Sequence, residues 1–409
     1  MREVKWPYGW GRVGYAWEDR KEWLELPFAI EEYESRIARV RLEMAKRELD
    51  VVVVHGVKGA DRGGIRYLSN FEDYYTGDTF VVIPSSGDPT FITDAVMHGE
   101  PMHSGIQAVW MRDVRCAPHP RTVDYMTTTV YDHLADVIQE AGAAQGRVGV
   151  SGMYSSEVHT VLESRFQGIQ TIRARDILDR IMARKSDAEV ALMRRVAAMS
   201  DAAMSAAMKA AQPGVSEHEM AAEANYAMYL AGAETAAFPL SACGGPRSGF
   251  KHSVPTDRRL REGEIAFTDL GGQLEGYCSD TARGRVVGDC PTEEQRKFLE
   301  AQIAIIEETI AMVKPGVRIG DLADRAAAMA REVGLEKVFY FRGHGIGTHT
   351  HIYPSFVPGS DVELESNMTF CYEPMFVSTG FGTACVEDMY VVTENGCETL
   401  SQSPRRWWN

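Results

Sequence analysis

The 409-residue sequence predicts an α/β domain followed by an α+β domain built from two related halves, and three observations carry that expectation. Helical-period segments alternate with short apolar strands up to about residue 180. A Pro-Gly-Val phrase leading into an Ala-rich helix occurs at 213–215 and returns at 315–317. After each copy come strand-like segments that carry isolated acidic residues among apolar neighbours.

The opening residues, 1–27, form an arm of low periodicity holding Trp6, Trp10, Trp17 and Trp23 of the chain's seven tryptophans. Packing on its own domain is the plainer reading. An arm reaching across to a partner subunit is the alternative, since amphipathic aromatics favour interfaces. From 28 to 180, the helical stretch EEYESRIARVRLEMAKRELD leads into the strands VVVVHG, TFVVIPSSGDPTFITDA and GRVGVSG. The second domain, 181–409, opens on SDAEVALMRRVAAMSDAAMSAAMKAA, where Ser186 and Glu189 form a capping box and methionines at helical spacing read as core. The phrases QPGVSEHEMAAEA and KPGVRIGDLADRA each end one helix and start another, which marks a duplicated helix-plus-strand unit.

A composition of 44% hydrophobic and 25% charged residues is that of an ordinary globular chain. The formal net charge of −15 argues against nucleic acid as a partner, because phosphate-backbone affinity rests on clustered Lys and Arg. Seven irregularly spaced cysteines suit a reducing compartment, and no run approaches the ~18 apolar residues of a membrane span. The N-terminus has no signal-peptide core, so a cytoplasmic protein without a membrane partner is expected. No Walker lysine motif or nucleophile elbow is present, and GHGIG lacks the spaced glycines of a dinucleotide turn.

The segment EIAFTDLGGQLEGYCSDTARGRVV reads as a hairpin. With the turn centred on Leu274 and Glu275, Asp269 and Asp280 fall directly opposite each other on one face, where like charges repel and a cation is called for. Glu373 in MTFCYEPMF and Glu387 in ACVEDMYVV are carboxylates amid apolar neighbours, costly unless paired or metal-bound. His344, among Gly343, Gly345 and Gly347, adds an imidazole. Two Asp, two Glu and one His suit a pair of divalent ions, Mn²⁺, Co²⁺, Fe²⁺ or Zn²⁺. Taken singly, each has a structural alternative: a solvated hairpin face for the aspartates, a cap before Pro374 for Glu373, an arginine partner for Glu387. Cys278, Cys371 and Cys385 each stand two residues before one of these acids, and residues two apart on a strand share a face. Core-filling thiols are the favoured reading, and a softer, oxidation-sensitive pocket is the alternative.

The order Asp269, Asp280, His344, Glu373, Glu387, with DLGGQLEGYCSD, GHGIGTHTH and CYEP, resembles the pita-bread metallohydrolases: methionine aminopeptidase, prolidase, aminopeptidase P and creatinase. The resemblance is strong over roughly 180–400 and looser in the N-terminal domain, which is similar to that of the prolidase and creatinase branch. It implies a pita-bread catalytic domain around two divalent ions, with Asp269 chelating one ion, Asp280 and Glu387 bridging both, and His344 and Glu373 completing the second. It also implies attack by a metal-bridged hydroxide, proton transfer by Glu373, and hydrogen bonds to the substrate from His252 and His351. For either histidine alone a structural role is as ready a reading, and His349 has no family counterpart.

Departures from the peptidase pattern bear on substrate. His351 is followed by Ile352, Tyr353 and Pro354 where an acidic residue is usual, Cys385 stands where an arginine is usual, and EPM replaces EPG. The expected function is therefore a dinuclear metal-dependent hydrolase of a C–N bond, of Xaa-Pro dipeptidase or aminopeptidase type. The alternative is a creatinase-like hydrolase of a small non-peptide amide, lactam or guanidino compound, with Tyr353 and Cys385 in its substrate pocket. A lyase and a non-catalytic binding module on the same fold are weaker alternatives. The resemblance further implies a homodimer.

Overall fold

The computed structural model describes residues 17–21, 24–57, 62–71, 77–94, 104–117, 128–152, 156–250, 252–378 and 382–407. Trp6, Trp10 and Trp23 of the N-terminal arm lie outside the described residues. Trp17 begins the short helix α1 (Trp17–Arg20), whose buried Arg20 donates through Nη2 to the Met111 carbonyl (2.7 Å) and through Nη1 to that of Val109. The chain divides into two units, Met1–Ile181 and Met182–Asn409.

The first unit is built on a six-stranded mixed sheet in the order β4-β3-β2-β1-β5-β6. Its strands are β1 (Val51–Val57), β2 (Asp78–Pro84), β3 (Thr90–Thr93), β4 (Asp113–Cys116), β5 (Arg147–Ser151) and β6 (Gln170–Arg173). The run Val51 to Val54 is buried throughout, as a central strand covered on both faces must be. Helices α2 (Ile30–Lys46), α3 (Arg62–Ser69), α4 (Val130–Glu140), α5 (Ser156–Arg165) and α6 (Arg175–Ala183) accompany it. Leu134 and Ile138 of α4 pack with Val53, Phe80 and Val150 of the sheet.

The second unit has two helix pairs, α7 (Asp187–Ala210) with α8 (Glu217–Leu230), and α9 (Glu293–Met312) with α10 (Ile319–Glu332). The capping box at Ser186 and Glu189 is present, and Met193, Met199, Met204 and Met208 of α7 are buried as core. The two Pro-Gly-Val turns are built alike. Gly214 and Gly316 have φ of 85° and 84°, the left-handed region that glycine enters without steric cost. Gly214 N–H donates to Leu260 O (2.9 Å) and Leu260 N–H to Val215 O (2.9 Å); Gly316 and Leu364 repeat the exchange at 2.8 Å, and Leu364 and Val317 at 2.9 Å. The related halves expected from the repeated phrase are thus visible bond by bond.

The strands of this unit are β7 (Thr235–Ala236), β8 (Ser241–Gly244), β9 (Ile265–Leu270), β10 (Gly272–Leu274), β11 (Tyr277–Cys278), β12 (Thr281–Val286), β13 (Phe339–Tyr340), β14 (Gly343–Gly345), β15 (Ile352–Ser355), β16 (Thr369–Tyr372), β17 (Met375–Ser378), β18 (Gly382–Ala384), β19 (Asp388–Val392) and β20 (Cys397–Thr399). The 265–286 hairpin turns at Glu275 and Gly276, both with positive φ (51° and 78°), one residue later than the sequence reading placed it. Asp269 therefore pairs with Ala282, and Asp280 lies two residues along, on the diagonal. A shift of two residues preserves the face, so the aspartates stay on one side without being directly opposite. Continuing that register sets Asp280 opposite Gly271, where a Cβ would fall 1.9 Å from Ser279 O; only glycine fits.

Candidate metal centre

The hairpin that carries Glu373 and Glu387 breaks where those two acids stand. β16 ends at Tyr372 and β17 resumes at Met375 in a different sheet, because Pro374 has no N–H for the ladder. β18 ends at Ala384, and its continuation β19 starts at Asp388 in the sheet of β16. The pairs Tyr372↔Asp388 and Phe376↔Ala384 share one register, which places Glu373 opposite Glu387 in the gap between the sheets. Glu387 N–H then donates to Ala282 O (3.0 Å), joining this hairpin to the one that holds Asp280.

The result is a cluster of buried charge. Asp269, Asp280, His344, Glu373 and Glu387 are each at most 5% exposed. His344 Nε2 lies 3.6 Å from Asp280 Oδ2 and 3.7 Å from Glu387 Oε1. One potential ligand atom from each of Asp280, His344, Cys371 and Glu387 falls within 4.8 Å of the others. Asp269 and Glu373 stand outside that tight group, yet the charge of both reaches Cys371, and Glu373 Oε1 lies 3.7 Å from Arg342 Nε at the rim. Burial pushes the Cys371 thiol well above its ordinary value, and Asp280, Glu387, Glu373 and Asp269 push it further. Carboxylates gathered this closely in low dielectric demand positive charge, and the oxygen, nitrogen and sulfur donors on show fit a divalent cation.

Desolvation holds the His344 imidazole below the ordinary histidine range against the pull of Glu373, leaving it neutral at pH 7, the state in which imidazole binds a cation. The His351 ring stacks on it with centroids 3.8 Å apart, and desolvation together with His344 pushes it down to about 4. His351 Nδ1 meets Thr350 Oγ1 (3.3 Å), and the His351 main-chain N–H donates to His349 Nδ1 (3.2 Å). His252 is exposed in a turn with φ of 59° and lies outside the tight group. Tyr353 is half-buried against the core that contains Phe356 and Tyr372.

The three cysteines part company. Cys371 joins the ligand group, whereas Cys385 is fully buried in an apolar cluster with Cys243, Phe267, Ala282 and Met375. Residues 385–387 are not in a strand, so the shared-face rule does not carry from Cys385 to Glu387. Cys278 is buried beside Asp280, and its N–H donates to Gly347 O (2.8 Å).

Sequence reasoning passed over Lys185, which reads in isolation as a solvent cation before a helix cap. It is buried, with Nζ donating to Ala183 O (3.2 Å), and a Cβ at Gly347 would come within 3.4 Å of Nζ. Burial pushes its amine down from 10.5 to about 7, against the opposing pull of Glu189 and Cys371. Between those values the unfolded chain holds a proton that the folded chain lacks, so stability rises with pH from about 7 to 10.5 and is flat, at its lower level, below. Lys185→Met is expected to remove that slope and to stabilise the fold at pH 6 by about 1–3 kcal/mol. Urea denaturation at pH 6 and pH 10 checks this; a variant that keeps the native slope would refute it.

Two family models match the chain: "Metallopeptidase family M24" over residues 191–394 and "Creatinase/Prolidase N-terminal domain" over 36–181. The chain belongs to metallopeptidase family M24. Among its relatives, the Xaa-Pro dipeptidase of Pyrococcus furiosus is 30% identical over 231 residues, 56% of this chain and 66% of that protein. A putative dipeptidase of Bacillus subtilis is 31% identical over 242 residues, 58% of this chain and 66% of that protein. The chain thus matches just under two thirds of the length of these M24 relatives. The crystal structure of the prolidase from Pyrococcus horikoshii superposes with a TM-score of 0.78, covering 91% of this chain and 99% of that one at 22% identity. The second unit accordingly has the pita-bread fold. No described helix is long and apolar enough to cross a membrane.

Proposed function

We propose that this M24 chain is a metal-dependent hydrolase of a C–N bond, acting on Xaa-Pro dipeptides or on the N-terminal Xaa-Pro bond of short peptides. The observation that carries the reading is the buried Asp280–His344–Glu387 group, flanked by Asp269 and Glu373, in a fold whose relatives include Xaa-Pro dipeptidases. Asp269, Asp280, His344, Glu373 and Glu387 would hold two divalent ions, which when bound supply an acidified water and a polarised substrate carbonyl. Glu373, at the rim of the group, takes a proton from the attacking water and returns it to the leaving nitrogen. With Thr350 Oγ–H donating to His351 Nδ1, the neutral ring keeps its proton on Nε2 and donates it to the oxygen on which charge develops. His252 serves as a second donor to the substrate, from a turn held in a left-handed conformation. The protein works as a cytoplasmic homodimer.

A second reading, a creatinase-like hydrolase of a small uncharged amide, is favoured by one observation. The position two residues before Glu387 is the fully buried Cys385 in an apolar cluster, so no cation stands there to meet a peptide carboxylate. Turnover of a mixed panel of Xaa-Pro dipeptides, an Xaa-Pro tripeptide, creatine and small lactams, followed by mass spectrometry with protein loaded with Mn²⁺, Co²⁺, Fe²⁺ or Zn²⁺ and with chelated protein, separates the two. Metal-dependent loss of the proline compounds is expected. Loss of a non-peptide compound alone transfers the assignment to the second reading, and no turnover with any of the four metals rejects both.

A further inference from the structure

We propose that Cys371 donates its sulfur to the metal centre, making the centre a mixed carboxylate, imidazole and thiolate site that prefers Zn²⁺, Co²⁺ or Fe²⁺ to Mn²⁺. The inference rests on the metal centre proposed above and adds a donor to it. Two ligand atoms on one ion cannot stand further apart than the sum of their bonds, roughly 4.5 Å for bonds of 2.0–2.3 Å, and the edge of a tetrahedron built on such bonds is about 3.5 Å. The separations from His344 Nε2 to Asp280 and Glu387, 3.6 and 3.7 Å, are of that edge length. The Cys371 Sγ lies within 4.8 Å of the same three donor atoms, about that limit.

The backbone explains why the sulfur is there. His344 of β14 pairs directly with Cys371 of β16, and directly opposed residues of an antiparallel pair share a face. Cys371 is also two residues before Glu373, with Tyr372 between them turned into the core beside Phe356 and Phe370. On that face Cys371 is completely buried, and its thiol points at Asp280, donating to the Asp280 main-chain carbonyl (3.5 Å). That strand face therefore presents the imidazole and the thiol side by side, and Glu373 follows just past the end of β16. Cys278 and Cys385, which the sequence puts in equivalent positions before Asp280 and Glu387, do not enter the group. A thiol in a carboxylate set shifts preference along the softness series, away from Mn²⁺ and toward the thiophilic borderline ions. Binding forms a metal–sulfur bond, breaks the S–H bond and releases that proton to solvent.

Cobalt absorption tests this without any turnover. A chain carrying Cys290→Ser, which removes the exposed cysteine, is titrated with Co²⁺ beside the same chain with Cys371→Ser, and a third with Cys278→Ser. The expected result is an intense near-ultraviolet sulfur-to-cobalt band in the first and third and its loss in the second, with weak visible cobalt bands in all three. Competition is expected to show the Zn²⁺ over Mn²⁺ preference falling roughly tenfold or more in Cys371→Ser. Visible cobalt bands without the near-ultraviolet band in the Cys290→Ser chain would overturn the proposal while leaving the metal centre standing, whatever the folding of the other variants. A band that survives Cys371→Ser would overturn it too. No cobalt signal at all would overturn both this proposal and the metal-centre reading.

Discussion

Glu373→Gln is expected to lower kcat about 10²- to 10⁴-fold on whichever panel compound the protein turns over, the range that a positioned general acid–base contributes. Glu373 stands just past the last ladder residue of β16, on the face that carries His344 and Cys371, yet outside the tight donor group and facing Arg342 across 3.7 Å. It is thus beside the group, its charge reaching Cys371, without being one of the tight donors. Glutamine keeps the shape and one carbonyl oxygen but cannot accept and return a proton. Metal content measured by mass spectrometry should therefore fall far less than kcat. A variant with native kcat would remove Glu373 from proton transfer, and one with parallel losses of metal and kcat would reduce its role to holding the ion.

Much of this was legible because chemistry and order are written locally. Asp269, Asp280, His344, Glu373 and Glu387 could be singled out from composition around each residue, and the Gly214 and Gly316 turns from a repeated phrase. What the sequence left open is what depends on register. Turns centred on Leu274–Glu275 and on Glu275–Gly276 both satisfy the local residue preferences, and Glu275 in the event takes the positive φ that glycine usually supplies. Because side chains alternate with period two, that displacement kept the aspartates on one face while making their contact diagonal. The strand break at Pro374 had a visible signal in the proline itself, whereas the matching break at residues 385–387 had none. That second break is why Cys385 turned into apolar surroundings while Cys371 reached the donor group. Arg283 was also passed over: an arginine in DTARGRVV reads as the solvent face of a strand, and its burial depends on the C-terminal segment folding over it.

Arg283→Met is expected to destabilise the fold by about 3–5 kcal/mol, the cost of stripping a buried ion of its partner. The guanidinium is fully buried on β12 and makes an ion pair with Asp388, itself 1% exposed. It also donates to the carbonyls of Ala282 (2.8 Å), Glu387 (2.6 Å), Ser403 (2.8 Å) and Pro404 (2.9 Å). Burial alone would raise the Asp388 carboxyl; Arg283 and then Arg405 outweigh it and hold it below the usual range. Methionine fills the stem's volume and leaves Asp388 with Arg405 as its remaining cationic partner. The Arg283 bonds run to the residue between Asp280 and the strand core and to Glu387 itself, so the guanidinium ties together the two hairpins that supply both carboxylates. Loss of metal affinity of about 10- to 100-fold should accompany the loss of stability, as for other groups that orient ligands from behind. Urea denaturation and a metal titration measure the two effects. Adding Asp388→Leu should not restore the metal affinity, since the ties to Glu387 stay broken. If Arg283→Met left stability unchanged, the ion pair would be no more than a surface-like contact; if stability fell with affinity intact, Glu387 would be held by the strand ladder and by Ala282 O alone.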